Sequence, residues 1–250
     1  MEGMKKAWVL FLFLSSSFAG CLSDDSFEST ISLVVDSETY NGTIVESYSE
    51  GEKISTTNVF LDFDFSLTTA DKKLITYGID TGDGRSPVTV NADSKSTIQV
   101  EFFNHGIYNV SAYAIDEENL QQRTTIRIQI DLRIEWIESN THDPKTLTYD
   151  PKPVHGGPNP IMVEIHSLIE NPTQVEDLGG GGQSVQITWN IIDEQNDVCQ
   201  RKTTQVDNGD SEDWYTIHFN TLQVHQLRIT YDGGQDYITI NQSIAIIYDS

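Results

Sequence analysis

The 250-residue chain sets 38 aspartates and glutamates against 15 lysines and arginines, a formal charge of −23. That balance argues against nucleic acid and anionic lipid surfaces as partners, because their phosphates would be repelled. Two cysteines are too few for a fold stapled by disulfides, while the length is enough to bury two modest cores. Few segments carry the 3.6-residue period of a long amphipathic helix, so the expected class is all-β.

The chain opens with Lys5 and Lys6, an unbroken apolar run over residues 7–14, and Ser15-Ser16-Ser17-Phe18-Ala19-Gly20 leading to Cys21. This is the layout of a secretory signal peptide over residues 1–20, with an apolar run too short to span a bilayer comfortably. The Phe-Ala-Gly-Cys end resembles the lipobox of prokaryotic lipoproteins, with Phe18 where leucine is usual. The resemblance implies lipidation of Cys21 and a lipid-anchored protein on the extracytoplasmic face of the cell membrane. Ordinary cleavage and an uncleaved anchor are the alternatives. Residues 21–30, polar and acidic, read as a tether.

Residues 31–36 and 43–48 read as short strands around Tyr40-Asn41-Gly42, an Asn-Gly hairpin turn. Val59, Leu61, Phe63 and Phe65 alternate with Phe60, Asp62, Asp64 and Ser66 and give the next strand. Ile75, Tyr77 and Ile79 then alternate into Thr81-Gly82-Asp83-Gly84, a turn of residues tolerant of positive φ. Ile98, Val100 and Phe102 form another apolar face, Asn104-His105-Gly106 turns the chain, and Tyr108, Val110, Ala112 and Ala114 lead to Asp116.

The order over residues 75–116 resembles the polycystic-kidney-disease (PKD) repeat, whose pattern is Y-x-W-D-F-G-D-G followed by G-x-Y-x-V-x-L-x-V-x-D. Tyr77, Asp80, Gly82, Asp83 and Gly84 match the first half; Gly106, Tyr108, Val110 and Asp116 match the second. Ile79 replaces the usual Trp and Thr81 the usual Phe. The resemblance implies an immunoglobulin-like β-sandwich over residues 31–131, of a kind that serves as an extracellular spacer or as a contact for proteins and carbohydrates. Tyr108 also has a local reason: a tyrosine here can bury its ring and return its hydroxyl to the backbone at the corner.

From Ile126 to Trp136 the alternation runs without a break or linker chemistry, spanning roughly 36 Å at strand rise. One strand is therefore expected to close the first sandwich and open a second, over residues 132–250, with little hinge between them. Residues 140–160 hold Pro144, Pro151, Pro153, Pro158 and Pro160 and read as an extended loop. Strands follow at 161–169, 184–192, 214–219, 224–231 and 237–248. Ile187-Thr188-Trp189 echoes Ile75-Thr76-Tyr77, but this half lacks Gly-Asp-Gly, and immunoglobulin-like sandwich is the safer description.

The six histidines show no metal-ligand spacing, and neither a nucleophile elbow nor a nucleotide-binding glycine pattern is present. His166 and His218 fall within strand patterns, where hydrogen-bonded or exposed histidines outnumber ligands. Cys199 lacks a catalytic His signature around it. Asp80, Asp83, Asp116, Glu117 and Glu118 suggest Ca²⁺, but antiparallel neighbours would carry Asp83 and Asp116 to opposite poles, and Asp80 and Asp83 are expected to fix their own turn instead. Tyr149, Trp214, Tyr215 and Tyr237 could line a glycan platform, although cores and edges use the same residues. No metal, cofactor or catalytic residue is assigned. The expected function is a non-catalytic surface binding or scaffold module with a protein or glycan partner; an accessory subunit of a secreted hydrolase or transport complex is the alternative. Function is expected in the proline-rich loop, at His142, Tyr149 and His155, unless that loop is an edge cover packed on the second sandwich.

Overall fold

The computed structural model describes residues 30–173 and 182–249. The expected signal peptide over residues 1–20, Cys21 and nearly all of the expected tether lie outside the described residues. Within them every regular element is a strand.

In the first half, β4 (Val59–Asp64) pairs with β8 (Thr97–Phe102), an isolated bridge links Asp64 at its end to Asp36, and β1 (Ile31–Ser32) and β5 (Thr69–Ala70) form a separate short pair. Opposite lie β7 (Val88–Asn91), β6 (Leu74–Asp80), β9 (Gly106–Asp116), β10 (Gln121–Thr141), β2 (Asn41–Ser49) and β3 (Glu52–Thr57) in one sheet. Alternation decides which faces meet: Leu61, Phe63, Val100 and Phe102 are buried from one layer, Tyr77, Ile79, Tyr108, Val110 and Ile128 from the other. Phe65 stacks on Tyr77 with ring centroids 4.7 Å apart, and Phe102 meets Tyr108 edge-on at 4.9 Å.

In the second half, β10 continues into a layer with β17 (Ile238–Ile247), β12 (Met162–Glu170) and β15 (Ser211–His218). The facing layer is β11 (Leu147–Tyr149), β16 (His225–Gly233), β13 (Val185–Asp193) and β14 (Val198–Val206). Trp189 of β13 is fully buried and donates Nε1–H to Ser167 Oγ of β12 at 2.8 Å, so its polar edge is satisfied across the layers.

The expected unbroken strand is β10, 21 residues long. Gln121–Ile130 pairs with β9 and Leu132–Thr141 with β17, both antiparallel, while Gln129–Ile137 pairs with β2 in parallel. Because Gln129 and Ile130 bond β9 and β2 at once, those strands occupy opposite edges; β9 and β17 follow end to end on one edge and β2 covers the join on the other. Buried apolar residues of both halves belong to one continuous cluster.

Several expectations change. Asn41-Gly42 is no hairpin turn: both residues lie in β2, and Gly42 is there for close approach, since a Cβ would strike Val59. The hairpin is β2–β3, turning at Glu50 and Gly51 (φ 52° and 85°). The segment over residues 140–160 is not all loop. Its start belongs to β10, and β11 adds an edge strand to β16.

Candidate functional site

The turn motif serves the fold. Asp80 Oδ1 accepts from Gly82 N at 3.0 Å, and Asp83 accepts from Thr81 Oγ1 at 2.6 Å and Arg85 Nε at 2.8 Å. Arg85 also donates to the Glu101 carbonyl at 2.8 Å, tying the turn to β8. Burial raises the Asp83 carboxyl, but the Arg85 and Thr81 hydrogen bonds outweigh it and hold the group below its ordinary range. Gly82 and Gly84 take φ of 73° and 90°. Asp116 caps a different turn, its Oδ1 accepting from Glu118 N and Leu120 N at 2.9 Å. Since Asp116 pairs with Leu74 and Ser111 with Asp80, the two turns sit at opposite ends of the β6–β9 ladder, as topology requires. Tyr108 buries its ring and donates its hydroxyl to the Asn104 carbonyl at 2.7 Å. Burial, and then the charge of Asp83, push this phenol up to about 12. Gly106, at φ 144°, lets His155 and Pro153 pack directly on the backbone where a Cβ would stand.

The proline-rich segment separates its three candidate residues. His142, exposed, stacks on Tyr237 at 3.9 Å; His155 stacks on Tyr108 at 3.9 Å, in the first sandwich; Tyr149 is 2 % exposed within the second. Tyr149, Trp214, Tyr215 and Tyr237 do not form a common platform either. Trp214 tilts against Trp189 at half burial, whereas Tyr215 and Tyr237 are exposed.

What the structure gathers instead is a thiol and two imidazoles. Ligand atoms of Cys199, His218 and His225 lie within 4.8 Å of one another. His218 ends β15, His225 begins β16, and Cys199 belongs to β14, so the cluster links the two layers of the second sandwich. Asn190 through Ile192 explain how the thiol gets there: Ile191 pairs with Gln200 and Ile192 with Val198, leaving Cys199 as the extra residue of a β-bulge. A bulge re-aims one side chain off the strict alternation. Both imidazoles are buried, and their Nε2 atoms are 2.9 Å apart. His225 Nδ1 lies 2.8 Å from the Gln223 carbonyl, which makes Nδ1 the protonated nitrogen and turns the Nε2 lone pair toward His218. Burial, aided by His225, lowers His218 to about 4, and burial likewise lowers His225. The Cys199 thiol is raised, first by desolvation and then by Asp193 and Asp197. Two neutral imidazoles and a protonated thiol are the resulting ground state.

Tyr149 joins this group. It pairs with His225 across β11 and β16, and the two rings stack at 5.7 Å. Among the described residues its buried hydroxyl has no hydrogen-bond partner. No spacing in the sequence announces the cluster, because its members come from different strands and one depends on a bulge. The faint sequence signal is two histidines seven residues apart bracketing a strand connection.

No family model and no curated protein matches the sequence. Solved structures overlap it distantly. A carbohydrate-binding module of the β-sandwich superfamily is 12% identical, with 85% of this chain and 96% of that one covered and a TM-score of 0.32. The fibronectin(III)-like modules of Clostridium thermocellum CbhA are 9% identical over 79% and 93%, TM-score 0.27. Bacteroides ovatus SGBP-B, in complex with a mixed-linkage heptasaccharide, is 9% identical over 81% and 52%, TM-score 0.20. At such scores the overlaps decide nothing about this chain, whose fold rests on its own strand pairing.

Proposed function

We propose that the chain is a non-catalytic surface lipoprotein, held by a lipid on Cys21 at the extracytoplasmic face of a prokaryotic cell membrane. Residues 31–131, a PKD-like sandwich, and 132–250, a second immunoglobulin-like one, act together as a stiff stalk presenting protein or glycan contacts. The observation that carries this reading is β10, whose 21 residues belong to the ladders of both halves without a linker. Domains joined by a flexible linker move relative to one another; a shared strand with β2 bridging its join removes that freedom. Such a body suits holding a binding surface away from a membrane.

The test is made in cells and in vitro. Wild-type chain should partition with membranes and Cys21→Ser should leave that fraction or accumulate as precursor; unchanged fractionation with a mature N-terminus defeats the anchor. The released Cys21→Ser chain should be retarded in affinity electrophoresis by at least one surface polysaccharide, or crosslink to a discrete surface protein. Failure of both defeats the binding role.

A further inference from the structure

We propose that Cys199, His218 and His225 are the protein ligands of a transition-metal ion of the zinc class, clamped between the two layers of the second sandwich. The donor set is one thiolate sulfur and two imidazole nitrogens. Hard cations such as Ca²⁺ and Mg²⁺ prefer oxygen, whereas this mixture of sulfur and nitrogen suits borderline-soft ions in tetrahedral geometry.

The geometry is nearly set for it. Two nitrogens bound to one tetrahedral zinc at about 2.0–2.1 Å stand about 3.3 Å apart. The His218 and His225 Nε2 atoms, 2.9 Å apart, need to separate by only a few tenths of an ångström. The supporting contact expected of a metal-bound histidine is already present, because His225 donates Nδ1–H to the Gln223 carbonyl at 2.8 Å. Without metal, His218 donates Nε2–H to His225 Nε2. On binding, the His218 proton moves to Nδ1, the Cys199 thiol releases its proton to solvent, and the M²⁺–S and two M²⁺–N bonds form with no change of oxidation state. Cys199 is exposed while both histidines are buried, so the ion enters from the thiol side and is closed in from beneath.

Two independent features point the same way. The Tyr149 hydroxyl, on a side chain 2 % exposed, has no partner among the described residues, stacks its ring on His225, and lies within electrostatic reach of Cys199. A buried hydroxyl of this kind costs free energy unless something satisfies it, and a water completing the ion's coordination would do so. The surroundings are also anionic: Asp193 and Asp197 act on Cys199, and Asp193 and Glu194 on His225. Asp193 Oδ1 is engaged by the Gln195 and Asp197 amides and Glu194 Oε1 by the Val224 amide, so these acids supply field rather than ligands.

The experiment uses the full chain in mild detergent, reduced and stripped with chelator, carrying Cys21→Ser so that Cys199 is the one remaining thiol. Titration with Co²⁺ should give a thiolate-to-cobalt charge-transfer absorption that saturates at one equivalent and is bleached by Zn²⁺. Zn²⁺ should also raise the thermal midpoint, since an ion that binds only the folded state stabilises it. Further substitution Cys199→Ser, at an exposed position, should abolish both responses; His218→Gln should weaken Zn²⁺ binding about 100-fold, at or beyond what losing a supporting contact costs. Absence of saturable absorption, its survival in Cys199→Ser, or uptake of Cu⁺ with refusal of Zn²⁺ would each overturn the assignment.

Discussion

His105 lies where the two halves touch, its Nδ1 2.8 Å from the Tyr248 hydroxyl and its ring buried. Burial lowers it to about 4, the charge of His155 adding to that and those of Asp150 and Glu46 opposing it. In the unfolded chain the same imidazole titrates near its ordinary 6.5. The unfolded state therefore binds the proton first as pH falls, so the stability present above about 6.5 declines down to about 4 and then levels, a loss of up to about 3 kcal/mol. Urea midpoints measured between pH 7.5 and 4 should show this slope added to those of His218 and His225, which burial also lowers, and His105→Gln should make the profile shallower by the share of His105 alone; parallel profiles for the two proteins would refute the role. Tyr108 makes a simpler claim. Its ring packs on Phe102 while its hydroxyl bonds the Asn104 carbonyl, so Tyr108→Phe keeps the packing and removes one net hydrogen bond. The expected cost is about 1 kcal/mol, read as a lower urea midpoint with an unchanged m-value.

At the scale of elements, what could be read from the sequence depended on how far a strand's own residues record its surroundings. β10 was legible because one buried face forces strict alternation from Ile126 to Trp136, and the strands around Tyr77 and Tyr108 were legible for the same reason. β14 was not: it is an edge strand with a mostly exposed pattern, and Lys202, Thr203 and Thr204 look like a loop. The parallel pairing of β2 with β10 was also hidden, since register between segments some ninety residues apart leaves no local mark, and Asn41-Gly42 imitates a turn. The metal-type cluster needed both a bulge and a contact between layers, neither written in spacing. The proline-rich segment was ambiguous in sequence, and in the structure its centre is packed. Leu147 and Tyr149 are 2 % exposed, and Pro151 and Pro160 are buried as well. Replacing residues 141–159 by a short Gly-Ser bridge removes two large buried side chains at about 2–5 kcal/mol each, together with the β11 ladder. The thermal transition should fall steeply or vanish. A transition within a few degrees of wild type would show that the second sandwich closes without this segment.

For the molecule as a whole, the question is whether two sandwiches that share a strand also share their stability. The join is held by more than β10. Arg127 Nη2 donates to the Asp249 carbonyl at 2.7 Å, Tyr248 N to Asp131 Oδ1 at 3.1 Å, and Gln129 Nε2 to the Tyr248 carbonyl at 3.3 Å, all between the halves. β2 belongs to the first half by its hairpin with β3, yet it bonds residues of β10 that also bond β17. Unfolding the second half would strip β17 from β10 and leave Leu132, Ile134 and Trp136, now buried, facing water from an unsupported edge. That exposure makes a half-unfolded state costly beside global unfolding, and the chain should unfold in one transition. The decisive variant is Ile165→Ala in β12, which empties a fully buried site of the second half at an expected cost of about 2–5 kcal/mol. If the halves are one cooperative unit, the slowest-exchanging amides of β4 and β8, in the other half, should lose protection by the same free energy as those of β12. Protection of β4 and β8 left at its wild-type level, with β12 alone weakened, would mean that the shared strand fixes orientation without coupling stability.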